Sequence, residues 1–220
     1  MKLIQGSEKL FILTHKIVAQ QTIAHLNNQN YSFNKLGFIW GNMKPDIAPN
    51  LIAKPHYQRE SLNFVVLSIL SLCCLPASFL DVPMRRKYIS VQMGVICHFL
   101  SDFFTLPHSL RWKLDSLPLA SKHLKYETIL QQKASLRSIP HLALPTISSI
   151  SKESITLFVT KLHNQYQLRE DYMNDLRYSV QISSVISALI LHTIQENVFA
   201  DEEFGNNHSL LRFSSNKFLA

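Results

Sequence analysis

The chain has 220 residues, of which 46% are hydrophobic and 17% are charged. This length suits one large domain with a substantial buried core, and we expect residues 1–220 to form one. Only five glycines are present, which argues against a turn-rich β-sandwich and a glycine-rich phosphate loop. The net charge of +7 favours an anionic partner, such as phospholipid headgroups, nucleic acid or a small phosphate ester.

The cysteines and the apolar segments bear on where the protein resides. Cys73, Cys74 and Cys97 are too few for a disulfide framework, so we expect reduced thiols and a cytoplasmic protein. The amino-terminal segment lacks a small-residue cleavage site, so no signal peptide is expected. The uncharged stretch 61–80 contains serines, an asparagine and a proline. We interpret it as a buried core helix rather than a membrane span.

Apolar residues recur at helical intervals along most of the chain, and no strand is predicted. The first predicted helix covers about residues 8–26, and a polar break follows at 27–34. Three prolines interrupt any helix in the next segment, which we predict to be irregular. The remaining predicted helices cover about residues 60–75, 89–104, 119–137, 152–170 and 172–198, with a loop over the basic cluster 84–87 and another over 109–118.

The most informative pattern is His98-x3-Asp102-x5-His108-x14-His123-x3-Glu127. A spacing of four residues places both members of a pair on one face of a helix. Imidazole nitrogen and carboxylate oxygen are ligands that Zn²⁺ accepts. The irregular segment upstream adds two further groups of these types, Asp46 and His56. The pattern therefore predicts a site for more than one metal ion.

The other histidines fit no such pattern. We predict surface positions for His25, His141, His163 and His208. His192 lies within the apolar stretch 185–194, which favours a hydrogen-bonded core histidine over a metal ligand.

Five segments in this order resemble the zinc-dependent phospholipase C family. They are Thr14-His15, Gly41-Asn42-x-Lys44-Pro45-Asp46, Lys54-Pro55-His56-Tyr57, the run from Gly94 to His108, and His123-x3-Glu127. The resemblance covers residues 14–127 by motif and the helices of about 150–200 by general character. It implies an all-α multi-helix bundle, related in fold and site to the P1-type nucleases, and it is stronger toward the cytosolic branch of the family.

The resemblance also implies a ligand assignment. One zinc ion would be held by Asp46, His56, His98 and Asp102, and a second by His108, His123 and Glu127. His15 would hold a third ion, with Asp102 as a bridging ligand, and Asp46 would be the general base. Secreted members complete the third site with an amino-terminal tryptophan, whereas the first tryptophan here is Trp40. We therefore expect two or three zinc ions, with the third site incomplete.

The implied activity is hydrolysis of a phosphodiester by metal-activated water. Trp40 and Tyr57 lie beside predicted ligands and either line a substrate pocket or belong to the core. The basic residues around the pattern fit a solvated face better than a phosphate-binding patch; they are Arg111, Lys113, Lys122 and Lys125. The cluster at 84–87 weakly favours transient contact with a membrane surface.

Two other functions compete with the phosphoesterase. A P1-like single-strand nuclease would need aromatic platforms and a basic channel, whereas the aromatic residues here mostly follow core periodicity and the basic residues are scattered. Nucleic acid is therefore the less favoured partner. A non-catalytic, zinc-stabilised helical binding protein would have closed metal sites, and the incomplete third site keeps that alternative open.

Overall fold

The computed structural model describes residues 4–27, 29, 31–112, 117–136, 139, 147, 149–166 and 168–197. These residues form helices and turns, with no strand among them, so the all-α prediction is confirmed. The helices are α1 (Ile4–Asn27), α2 (Lys35–Met43), α3 (Pro49–Ile52), α4 (Gln58–Cys73), α5 (Pro83–Phe103), α6 (Leu106–Ser109), α7 (Leu117–Leu136), α8 (Lys152–Gln165) and α9 (Tyr172–Glu196), with 3₁₀ turns at Lys44–Asp46 and Ala77–Leu80.

Helix α5 runs through the main core. Its second half is buried without interruption from Met93 to Phe103, as is typical of a helix enclosed on all sides. The apolar stripe that the sequence predicts, Ile96, Phe99, Leu100 and Phe103, is no more than 1% exposed. Because α5 is enclosed on every face, its polar pair His98 and Asp102 also points into the protein.

Two glycines bring α2 and α5 into backbone contact. A Cβ added to Gly41 would lie 2.1 Å from the Val91 carbonyl oxygen, and one added to Gly94 would lie 2.3 Å from the Phe38 carbonyl oxygen. No side chain fits at either position, so glycine is required for this close approach. The approach holds the carboxyl end of α2, and the turn that follows it, against the buried half of α5.

A second, smaller core joins α1, α6, α7 and α9. Its buried members are Val18, Leu106, Trp112, Tyr126, Leu130, Ala134, Ile139, Leu176 and Val180. Three of them, Val18, Leu130 and Leu176, line a small cavity together with His15, Asp102 and Glu127. The candidate site therefore borders this second core.

Several predicted boundaries are wrong. Helix α2 lies where the sequence predicts irregular structure, because the first of the three interrupting prolines, Pro45, comes only after the helix has ended. The basic cluster 84–87 is helical rather than a loop, because Pro83 occupies the first turn of α5, where proline is tolerated. The helix predicted over 152–170 ends at Gln165.

The histidines outside the pattern also depart from prediction. His192 is exposed, so its assignment to the core is wrong; α9 buries the neighbouring Leu191 and Ile194 on another face. His25 and His163 are half-buried rather than on the surface. His25 Nδ1 lies 3.1 Å from Ser184 Oγ. His141, His208 and Lys113 lie outside the described residues.

The uncharged stretch 61–80 folds as expected. Helix α4 buries Val65, Val66, Ile69 and Leu72 against the main core, and the stretch continues into the 3₁₀ turn Ala77–Leu80. Across the described part of the chain, no helix combines the length and apolar character that a membrane crossing needs.

Candidate metal centre

Six separate segments supply the predicted ligands, and the fold brings them together. The ligands are His15 on α1, Asp46 on the turn after α2, His56 before α4, His98 and Asp102 on α5, His108 on α6, and His123 and Glu127 on α7. Five of these residues are buried, although all eight side chains are polar or charged. Such burial has a large cost unless the groups are paired or bind a metal ion.

The carboxylate of Asp102 lies at the centre of the cluster. Its Oδ2 is 2.7 Å from His56 Nδ1 and 3.2 Å from His98 Nε2. Its Oδ1 is 3.2 Å from His15 Nε2 and 3.4 Å from His108 Nδ1. One buried carboxylate thus contacts four imidazole rings from four different segments.

Asp46 extends the cluster on the side of α1 and α2. Its Oδ1 lies 3.6 Å from His98 Nε2, and its Oδ2 lies 4.0 Å from His15 Nε2. Two triads with ligand atoms within 4.8 Å of one another follow among the described residues: His15–Asp46–His98 and His56–His98–Asp102. His98 belongs to both triads.

The spacing around His98 fits a zinc ion. Ligand atoms in a tetrahedral zinc site, each about 2.0 Å from the metal, are about 3.3 Å apart. His98 Nε2 lies 3.1 Å from His56 Nδ1, 3.2 Å from Asp102 Oδ2 and 3.6 Å from Asp46 Oδ1. In addition, Asp46 Oδ2 is buried without a hydrogen-bond partner among the described residues. Donor types and spacings together are compatible with a metal ion.

Helix α2 fixes the orientation of the His98 ring. His98 Nδ1 donates to the Asn42 carbonyl oxygen at 2.7 Å, which leaves Nε2 unprotonated and directed at the carboxylates. The Asn42 side chain is itself buried and donates to the Phe38 carbonyl oxygen at 3.0 Å. The glycine contact between α2 and α5 therefore decides which nitrogen of His98 faces the site.

The ligand atoms of His108, His123 and Glu127 are more widely spaced than those around His98. The rings of His108 and His123 are 5.2 Å apart between centroids, and His123 Nε2 is 3.8 Å from Glu127 Oε1. This set is not among the triads with all ligand atoms within 4.8 Å. His108 Nδ1 lies 3.1 Å from Thr105 Oγ1, so Thr105 also orients this ring.

His15 lies closer to the first set than its predicted role suggests. Its ring stacks on that of His98 with 3.8 Å between centroids and 27° between planes. Its Nε2 atom contacts Asp102 and approaches Asp46. His15 is therefore part of the same cluster of donors as His98.

The close packing of carboxylates and imidazoles shifts the pKa values of Asp102, His15 and His98. Burial alone would raise the pKa of Asp102, but the charges of His108, His98 and His15 hold it well below its usual range. Burial alone would lower the pKa of His15, but Asp102 outweighs it and raises that pKa to about 9. For His98, burial and the charge of His15 lower the pKa. A metal ion that enters the cluster must therefore displace protons.

The two aromatic candidates have different surroundings. Tyr57 is half-buried, and its ring lies 6.2 Å from that of His108 between centroids. Trp40 is 46% exposed on α2, so it is not a core residue. Arg111 lies over the Tyr57 ring at 4.9 Å and forms an ion pair with Glu60. Lys122 lies over the Trp112 ring at 4.1 Å, and Lys125 is exposed.

A buried carboxylate among four imidazoles on a helical scaffold is the kind of centre found in metal-dependent hydrolases. The family model for zinc dependent phospholipase C matches residues 14–173. The match spans more than half of the chain and includes every candidate ligand, and the chain belongs to this family. Comparison with curated proteins and with solved structures gave no match. Family and cluster together support a metal-dependent phosphoesterase.

Proposed function

We propose that the protein is a cytoplasmic zinc-dependent phosphoric ester hydrolase of the phospholipase C type, with residues 1–220 forming one domain. Its reaction is hydrolysis of a phosphodiester, and its substrates are phosphate esters that include phospholipids. The observation that carries this proposal is the contact of the Asp102 carboxylate with four imidazoles, in a chain that matches the family over residues 14–173.

The proposed ligand sets follow the family pattern. Asp46, His56, His98 and Asp102 hold the first zinc ion, and the spacings of 3.1–3.6 Å around His98 support this set. His108, His123 and Glu127 hold the second ion. A third ion would be held by His15 and a bridging Asp102, whose Oδ1 lies 3.2 Å from His15 Nε2.

The chemistry divides between the metal and the side chains. Zinc, when bound, supplies positive charge for the phosphoryl oxygens and lowers the pKa of water in the site. Asp46 acts as the general base through Oδ2, the oxygen that accepts no hydrogen bond from the described residues. Asp102 keeps the surrounding imidazoles in place, and Tyr57 borders the substrate beside His108.

A face of α2 and α5 supports contact with a lipid surface. Gly37 and Gly41 of α2 point toward α5. The side chains at the positions just before these glycines therefore point to one side of the α2–α5 pair. Exposed side chains in the first turns of α5 lie on the same side. That side carries four exposed apolar side chains: Leu36 at 79%, Trp40 at 46%, Met84 at 78% and Tyr88 at 54%.

The charges of this face suit an anionic membrane. Asp102, within the site, is the only acidic residue in the sequences of α2 and α5. Basic residues are frequent at their amino-terminal ends: Lys35, Arg85, Arg86 and Lys87. Basic side chains near apolar and aromatic ones favour reversible binding to anionic headgroups. We propose transient contact of this kind rather than insertion.

The test is metal content by elemental analysis together with turnover of three substrates: a phosphodiester, a phosphomonoester and single-stranded DNA. We expect at least two zinc equivalents and the highest kcat/KM for the phosphodiester. Preference for single-stranded DNA would instead establish a P1-like nuclease. If the protein binds zinc but hydrolyses none of the three substrates, the proposed enzymatic activity is wrong, and a zinc-stabilised binding protein is the better explanation.

A further inference from the structure

A buried carboxyl group on α9 connects the two elements that carry the second ligand set. Asp175 is fully buried, at 0% exposure. Its Oδ2 accepts hydrogen bonds from the Leu106 backbone N–H at 3.0 Å and from the Tyr126 hydroxyl at 2.6 Å. Its Oδ1 accepts a hydrogen bond from the Tyr166 hydroxyl. Asp175 is absent from every sequence motif above.

Two of these donors lie next to candidate ligands in the chain. Leu106 begins α6, whose third residue is His108. Tyr126 lies on α7 immediately before Glu127 and three residues after His123. A single carboxyl oxygen therefore accepts hydrogen bonds from both segments of the second ligand set.

These segments need an external support. Helix α6 has four residues, and its N-cap residue Thr105 makes no side-chain capping bond. An isolated helical turn is not stable by itself, and its first N–H groups require acceptors. Asp175 supplies the acceptor for the first of them. The hydroxyls of Tyr126 and Tyr166, in turn, satisfy a carboxyl group that would be costly to bury alone.

We propose that Asp175 is a positioning residue for the second zinc ion. It sets the separation of α6 from α7, and so the convergence of His108, His123 and Glu127, without touching metal or substrate. The inference rests on the proposed function, since it presupposes a metal ion at these three residues. Substitution of a residue that holds metal ligands in position typically lowers metal affinity about 10- to 100-fold.

Asp175→Asn tests the proposal with a side chain of the same shape. The amide of asparagine has an NH₂ group in place of one carboxyl oxygen. This group cannot accept the hydrogen bonds that Leu106, Tyr126 and Tyr166 donate to Asp175. The metal-free full-length protein is titrated with Zn²⁺, and with Co²⁺ followed by its absorption spectrum. We expect one metal equivalent to bind about 10- to 100-fold more weakly, and the Co²⁺ spectrum of that equivalent to change. Glu127→Gln identifies the equivalent, and adding Asp175→Asn to Glu127→Gln should leave the remaining equivalents unchanged.

A buried residue on the same helix provides the control. Ile186 is 0% exposed in the main core of α9, so Ile186→Ala should lower the unfolding temperature and leave every metal affinity unchanged. Tyr126→Phe and Tyr166→Phe each remove one donor and keep the carboxyl group, so they test the same connection if Asp175→Asn does not fold. Each should weaken the same equivalent by a smaller factor.

The outcomes separate this inference from the proposed function. Wild-type affinities in Asp175→Asn, or in both tyrosine variants, would overturn the positioning role alone. An equal loss of affinity at every zinc equivalent, or the same loss in Ile186→Ala, would also overturn it, because a general loss of stability would then explain the effect. A wild-type protein that binds no zinc would overturn the proposed function and this inference together.

Discussion

The Nε2 atom of His98 lies 3.1 Å from the Nδ1 atom of His56. The Nδ1 atom of His98 donates to the Asn42 carbonyl oxygen, so the lone pair of Nε2 is directed at His56 and the carboxylates. Two ring nitrogens at this distance either share a proton or face a common ion. Because His98 is in both triads of close ligand atoms, it is the imidazole on which the first ligand set most depends.

His98→Gln should therefore abolish binding of the first zinc ion and reduce phosphodiester turnover at least 100-fold, on the order of the contribution of a well-placed catalytic group. Elemental analysis and kcat/KM are the measurements. His192→Gln is the matched control, because His192 is exposed on α9 and should behave as the wild type. Full metal content in His98→Gln would contradict the assignment of this residue.

Gly41→Ala should separate α2 from α5. The added Cβ would lie 2.1 Å from the Val91 carbonyl oxygen, so one helix must move, at a cost of about 1–3 kcal/mol. Movement of α2 shifts Asn42 away from His98, and metal affinity should fall with stability. Chemical denaturation and zinc titration measure the two effects.

Gly37→Ala is the control for the glycine contact. Its Cβ would lie 3.0 Å from Asn34 Oδ1 and 3.3 Å from the Lys87 carbonyl oxygen, so a small shift accommodates it. Equal losses in the two variants would show that the Gly41 contact has no special role in forming the site.

The pattern of ligands was predictable from the sequence because helical spacing fixes which side chains share a face. His98 and Asp102, and likewise His123 and Glu127, are four residues apart on helices that the structure contains. Convergence of the segments came from the resemblance rather than from periodicity. Local spacing alone says nothing about how His15, on α1, stacks on His98.

The remaining errors have physical causes. Helix α2 was not predicted because three prolines follow in the sequence, although the first of them, Pro45, comes only after the helix has ended. His192 lies in an apolar stretch, but neighbouring residues of a helix point about 100° apart, so apolar neighbours did not imply burial. Asp175 was missed because an acidic residue in the first turn of a helix is ordinarily explained by the helix dipole.

Asp175 should make the stability of the metal-free protein depend on pH. Burial raises its pKa to about 7, although the hydrogen bonds from Tyr126 and Tyr166 act in the opposite direction. A carboxyl group with a raised folded-state pKa favours folding most at low pH, and this contribution is lost as the pH rises toward 7. Relative to Asp175→Asn, the wild type should therefore lose about 2 kcal/mol of stability between pH 5 and pH 7.

Urea denaturation of both proteins in the presence of a chelator, at several pH values, measures this difference. The asparagine variant supplies the control, because it has no group that titrates at position 175 while all other groups remain. A constant or rising difference across this range would show that Asp175 is ionised throughout in the folded protein.

The exposed face of α2 and α5 should determine binding to anionic vesicles. Replacing both Trp40 and Tyr88 by serine should weaken co-sedimentation with phosphatidylglycerol vesicles at least about 100-fold, since each buried aromatic contributes about 1.5–3 kcal/mol. Leu157→Ser is the control, because Leu157 is 68% exposed on α8. An Asp102→Asn background prevents lipid hydrolysis during the assay. Unchanged binding by the double variant would show that this face does not bind the membrane.

Asp102→Asn is the most direct test of a shared metal centre for phosphoester hydrolysis. Asp102 contacts four imidazoles through two carboxylate oxygens, and an amide retains only one of these as an acceptor. Asp81→Asn, outside the site, is the control and should match the wild type. The measurement is zinc content together with phosphodiester turnover. We expect a loss of more than one zinc equivalent and of activity. Loss of one equivalent or none, or turnover equal to that of the wild type, would contradict it.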